Sequence, residues 1–175
     1  MVRVGGARRA AADCHLRQAR SAGHTRRTAF PGPDMTQLTL LQARTIADAA
    51  LAAARQAGYQ PMAVVVLDAS GNLKVALRED GASMFRVDVA TGKTWAAIGM
   101  GAASRMLAQR AKDNPNFFVT LAATAKGRFL PQTGAVLIKD GAGAVLGGVG
   151  ASGGTGDEDE AICIAGVLAA GLAHG

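Results

Sequence analysis

Residues 148–160, GVGASGGTGDEDE, open with a G-x-G-x-x-G spacing at Gly148, Gly150 and Gly153. Between a strand-like run and a helix-like one, that spacing lets a pyrophosphate approach bare backbone at a helix N-terminus. The same chemistry needs a ribose-reading carboxylate on a further strand roughly 20 residues on, and counting on from Gly153 reaches the final residues of the sequence. Asp157, Glu158, Asp159 and Glu160 would also satisfy the helix dipole themselves and repel a phosphate. A dinucleotide is therefore not expected. The glycines are expected to form a strand with little side-chain bulk, against which a helix or a ligand can lie. Gly92-Lys93-Thr94 matches the end of a phosphate-binding loop, but position 87, where that loop needs glycine, is Val87. Lys93 then reads either as solvated or as facing a pocket from a helix. Arg78 and Asp80, at the end of a strand-like run, read either as an edge pair in water or as part of a binding site. No histidine lies between His24 and His174, so Ser104 and Ser152 have no imidazole partner there and no metal site is expected.

The net charge of +6 is unevenly spread: residues 1–34 hold seven Arg against two Asp, and the rest is nearly neutral. With aromatics at only 4%, there is little to stack bases on, and nucleic acid is not an expected partner. Residues 1–34 lack the apolar core of a secretory signal and read as a disordered basic tail or an upstream start ahead of Met35. Residues 35–175 read as one domain. Cys14 lies in the tail and Cys163 in an apolar helical pattern, so no disulfide is expected and a reducing, cytoplasmic compartment fits. No run of 18 apolar residues occurs, so no membrane span is expected.

The elements that must position these residues follow from periodicity. Thr39 can cap a helix to about Ala57, with Leu40, Ala43, Ala47, Ala50, Leu51 and Ala54 at helical spacing and Gly58 as its stop. Residues 61–80 form two apolar runs joined by Asp68 to Asn72, a hairpin. Helices are expected from about Met84 to Gly99 and around 103–112 and 116–125. A second hairpin turns at Asp140 to Gly143, Arg128 to Pro131 is offered as a fifth strand, and a last helix runs from Glu158 to about Leu172, capped by Asp157. Hairpins with helices before, between and after them give an α+β fold.

Together, VVVLDASGNL, LREDGAS, VATGKTWAA and LPQTGAVLIKDGAGAVLGGVGASGGTGDEDEAICIAG resemble the GlcG/HbpS family, across about residues 36 to 173. The resemblance implies a profilin-like antiparallel five-stranded sheet flanked by helices on both faces, and a homo-oligomer, dimer or higher. It implies a heme-binding or small-ligand-binding accessory protein, of the kind found in catabolic operons and as the C-terminal domain of PduO-type proteins. The implied ligand pocket comprises Arg78, Lys93, Ser104, Gly134, Gly150, Ser152, Gly153 and Gly154, with Asp80 beside Arg78. Such a pocket suits an anion, which Arg78 and Lys93 would hold. The alternative is a metal-independent enzyme acting on a small carboxylate or carbonyl metabolite, with Lys93 or Asp80 as the proton-transfer group. Two departures stand out. The family's Pro-Gly-Gly before the fourth strand is Pro131-Gln132-Thr133-Gly134 here, and its Pro-Thr-Arg is Ala103-Ser104-Arg105, which puts Ser104 where a threonine would approach heme. Without a histidine in the domain, iron ligation would rest on Ser104, a methionine, Cys163 or a histidine near either end.

Overall fold

The computed structural model describes residues 37–175; the tail assigned to residues 1–34 lies outside them. Helix α1, Leu40–Gln56, starts at Thr39, whose hydroxyl accepts from the Gln42 N–H while the Gln42 side chain accepts from the Thr39 N–H. This reciprocal capping box satisfies two donors that a helix start leaves unpaired. The first hairpin follows as β1, Ala63–Asp68, and β2, Leu73–Arg78. Asp68 holds its turn by accepting from the Ser70 and Asn72 N–H groups, each at 2.9 Å. Three helices come next: α2, Arg86–Met100; α3, Ser104–Asp113; and α4, Pro115–Thr124. The second hairpin is β3, Ala135–Lys139, with β4, Val145–Ser152, and the chain closes with α5, Gly156–Ala169, and β5, Ala173–His174.

The five strands form one antiparallel sheet in the order β2-β1-β4-β3-β5. Val64, Val66, Val136, Val149 and Ala151 face one core with α1 and α5. Val65 and Leu67 face the other side, against Ala90, Val87, Trp95 and Ile98 of α2. Both faces are thus covered, which is why β1 is an unbroken apolar run rather than an alternating one. Beyond α2, Leu107, Phe118 and Phe129 pack on Ala96 and make a third layer.

Two expectations change. The fifth strand is β5 at Ala173–His174, paired with β3; Arg128 to Pro131 crosses α2 instead, with the Leu130 N–H donating to the Gly92 carbonyl at 3.3 Å. The last helix starts earlier and is capped by Thr155, not Asp157, because Thr155 and Glu158 form a second capping box. Asp157 is left to pair with Arg105. No described helix is long and apolar enough to cross a membrane.

Candidate ligand-binding site

Three helices, α2, α3 and α5, begin at the end of the sheet where β4 finishes. The residues expected there are brought together in part. Lys93 is neither solvated nor facing an open pocket. It is 6% exposed, and its ammonium donates to Asp159 Oδ2 at 2.7 Å and to the Ala151 carbonyl at 3.2 Å. Asp159, 1% exposed, also accepts from the Gly154 N–H at 3.1 Å. Burial pushes the Asp159 carboxyl above the usual carboxylate range, against the opposing pull of Lys93, the Gly154 N–H and the charge of Arg86.

Gly134 makes this pair sterically feasible. At φ 125°, a Cβ there would lie 2.7 Å from Lys93 Nζ and 2.8 Å from Asp159 Cβ. Gly150 lies under α2, where a Cβ would come within 2.8 Å of the Ala90 carbonyl. Gly153 lies against Met62, with 2.5 Å between such a Cβ and Met62 Cγ. The helix, rather than a ligand, lies on the glycine strand. Ser104 opens α3 fully buried, its hydroxyl accepting from the Ala135 N–H at 2.8 Å and so tying α3 to β3. Cys163, one turn beyond Asp159, is buried and its thiol pushed well up by desolvation; its Sγ donates to the Gly134 carbonyl at 3.6 Å.

Arg78, Ala63 and Ser152 stand in one register row across β2, β1 and β4. Residues in register share a face of the sheet. Ser152 shows which face, since Arg86 in the first turn of α2 reaches its hydroxyl at 3.5 Å. Arg78 donates to the Ala82 carbonyl. It borders an open cleft of about 510 Å³ with Asp80, Glu79, Tyr59 and Arg55, and Lys93 does not line it. Glu79 in that cleft is occupied by Arg55 at 2.7 Å and the Met62 N–H at 2.9 Å. Among the described residues, neither Arg78 nor Arg86 has a carboxylate within ion-pair distance, whereas Arg44, Arg55 and Arg105 each do.

Arg86 and Asp159 were not singled out from the sequence. Arg86 precedes Lys93 by seven residues, two helical turns, so one face of α2 carries both, and that spacing was the available signal. Asp159 was hidden among four consecutive acids that read as dipole complements.

The family description "haem degrading protein HbpS-like" matches residues 38–168. Among solved structures, a double mutant of HbpS from Streptomyces reticuli is 32% identical, with a TM-score of 0.67 over 80% of this chain and 92% of that one. A PduOC:heme complex is 24% identical, with a TM-score of 0.70 over 78% of this chain and 97% of the other. Klebsiella pneumoniae protein ORFY is 21% identical, with a TM-score of 0.71 over 82% and 98%. The last two show likeness of fold. A search of the curated proteins returns no match.

Proposed function

Because the chain belongs to the HbpS-like family, we propose that it is a cytoplasmic, oligomeric accessory protein that binds its ligand by carboxylate groups, either the propionates of heme or a small organic anion. The observation that supports this reading is that Arg78 and Arg86 both belong to the α2 side of one sheet end, Arg86 reaching the Ser152 hydroxyl and Arg78 bordering the cleft beside Asp80, each without a carboxylate within ion-pair distance among the described residues. A guanidinium fork matches a carboxylate in bidentate geometry.

Among the described residues, Ser104, Cys163 and Lys93 do not fit an iron-ligating heme pocket. The Ser104 hydroxyl is buried and committed to Ala135, the Cys163 thiol is buried, and the Lys93 ammonium is paired. The one described histidine, His174, is exposed on β5, two strands from β4. Heme bound at this end of the sheet would then rest chiefly on its propionates. The enzyme reading is not adopted, because Lys93 is tied to Asp159 in the core while Asp80 borders a separate cleft.

The test is calorimetric titration with hemin, iron-free protoporphyrin IX and succinate. Hemin and protoporphyrin should bind alike if propionates carry the affinity, and succinate binding alone would identify a small anion as the ligand class. Arg78→Ala and Arg86→Ala should each weaken binding by roughly 1.5 to 3 kcal/mol, the range for hydrogen bonds to charged groups. Arg44→Ala, whose guanidinium pairs with Asp48 on the exposed side of α1, is the reference. Equal affinities across the three variants would overturn the assignment.

A further inference from the structure

A second concavity, of about 390 Å³, lies on the opposite side of α2 from the sheet, between that helix and the segment that leaves α4. Its floor is Gly92, where a Cβ would come within 3.0 Å of Leu130 Cβ and 3.4 Å of the Arg128 carbonyl. The segment at 128–130 therefore lies directly on the helix backbone and closes one side of the space. Val89 and Leu130 give it apolar walls. Three charged residues line it: Lys126 and Arg128 from the segment, and Asp88 from α2. Among the described residues, none of the three forms an ion pair.

Two further observations concern the residues that line this cleft. Lys126, at φ 54°, is the only non-glycine residue with positive φ among the described residues. It stands one residue past the Ala125 cap of α4, where the Gly127 N–H donates to the Ala122 carbonyl and the Lys126 N–H to the Ala123 carbonyl, a helix ending that glycine adopts more readily than lysine. Arg128 has its guanidinium 4.8 Å from the Trp95 ring centroid, a contact that restrains it. We infer that this cleft binds a small organic carboxylate with a short apolar body and a hydroxyl or ammonium donor. Lys126 and Arg128 take the carboxylate, Val89 and Leu130 the body, and Asp88 the donor. Asp88 also disfavours a phosphate dianion, whose second negative charge it would repel. The volume lies within the range of small-molecule pockets. The assignment stands on residues other than Arg78 and Arg86, and does not depend on the function proposed for them.

Trp95 is the only tryptophan in the sequence, so its emission reads this cleft through Arg128. The full chain would be titrated with 2-hydroxyisocaproate, isocaproate and inorganic phosphate, following Trp95 emission and the backbone amide shifts of Gly92 and Gly127. Saturable binding of 2-hydroxyisocaproate is expected, with isocaproate weaker and phosphate without effect. Lys126→Gly removes the charge and suits the positive φ, so it should fold at least as stably while raising the dissociation constant roughly ten- to a hundredfold. Asp88→Asn should reduce the preference for the hydroxy acid over isocaproate, and Arg44→Ala should change nothing. The inference is overturned by absence of saturation, by unchanged affinity in Lys126→Gly, or by shifts that centre on Ser152 and Gly154.

Discussion

The Lys93–Asp159 pair shows how one buried contact can fix a site without being exposed in it. A buried charge left without its partner is far more costly than an intact pair. Lys93→Met should therefore destabilise the protein by roughly 3 to 5 kcal/mol in urea unfolding, and Lys93→Met with Asp159→Leu by clearly less than the two singles added. Additive losses would show that the pair is not coupled. Asp159 also makes stability depend on pH with an unusual sign. Its folded-state pKa is raised, so the folded protein keeps that proton to higher pH than the unfolded chain. The contribution of this group to stability is fullest below the unfolded value of about 3.9 and is lost as pH rises through the folded value. A carbon-detected titration of the Asp159 carboxyl should place its midpoint above the ordinary range, and higher still in Lys93→Met, where the main opposing pull is gone. A midpoint in the ordinary range would contradict this. None of it was legible in the sequence: the partners are 66 residues apart, and a lysine on a helix looks the same whether it meets water or a carboxylate.

At the scale of elements, the hairpins and most helices were legible because their signals are local. Apolar runs bounded by Asp-Ala-Ser-Gly-Asn and Asp-Gly-Ala-Gly leave little choice of turn. The last helix was misplaced because four acids in a row obscured the threonine two residues before them. Thr155→Ala should cost about 1 kcal/mol, the usual effect of losing a cap, whereas Asp157→Ala should cost less; the reverse order in thermal unfolding would restore the aspartate as cap. The two-residue β5 carries no periodicity of its own and exists because β3 offers it an edge. The glycine strand yields the sharpest expectation at this scale. Gly150→Ala, which drives a methyl into Thr94 and the Ala90 carbonyl, should destabilise by at least about 1 to 3 kcal/mol, the range for overpacking. Gly141→Ala, with nothing within 4 Å, serves as the comparison.

Across the whole molecule, the α+β architecture with both sheet faces covered matches the sequence reading, since an uninterrupted apolar β1 requires cover on each side. The surface still exposes Leu41, Met84 and Val119, each above 70%. With the oligomer proposed above, sedimentation analysis should find a dimer or larger species, and a monomer at all concentrations would remove that part of the proposal. Leu38 and the Thr39 cap already complete α1 within the described residues. A chain beginning at Met35 should therefore melt within about 2 °C of the full-length protein, well under the shift that 1 kcal/mol produces in a domain of this size. Helix α2 carries both inferred sites, Arg86 on its sheet side and Asp88 on its outer side, and it packs closely on the backbone of Gly148 and Gly150, where an added Cβ would strike Thr94, Ile98 or the Ala90 carbonyl. A helix packed this closely on strand backbone is expected to hold one position at both sites, which leaves a ligand at one of them little structural change to pass to the other. The dissociation constant of either ligand should be the same whether or not the other is bound: the protein would sense two molecules at once and report each independently.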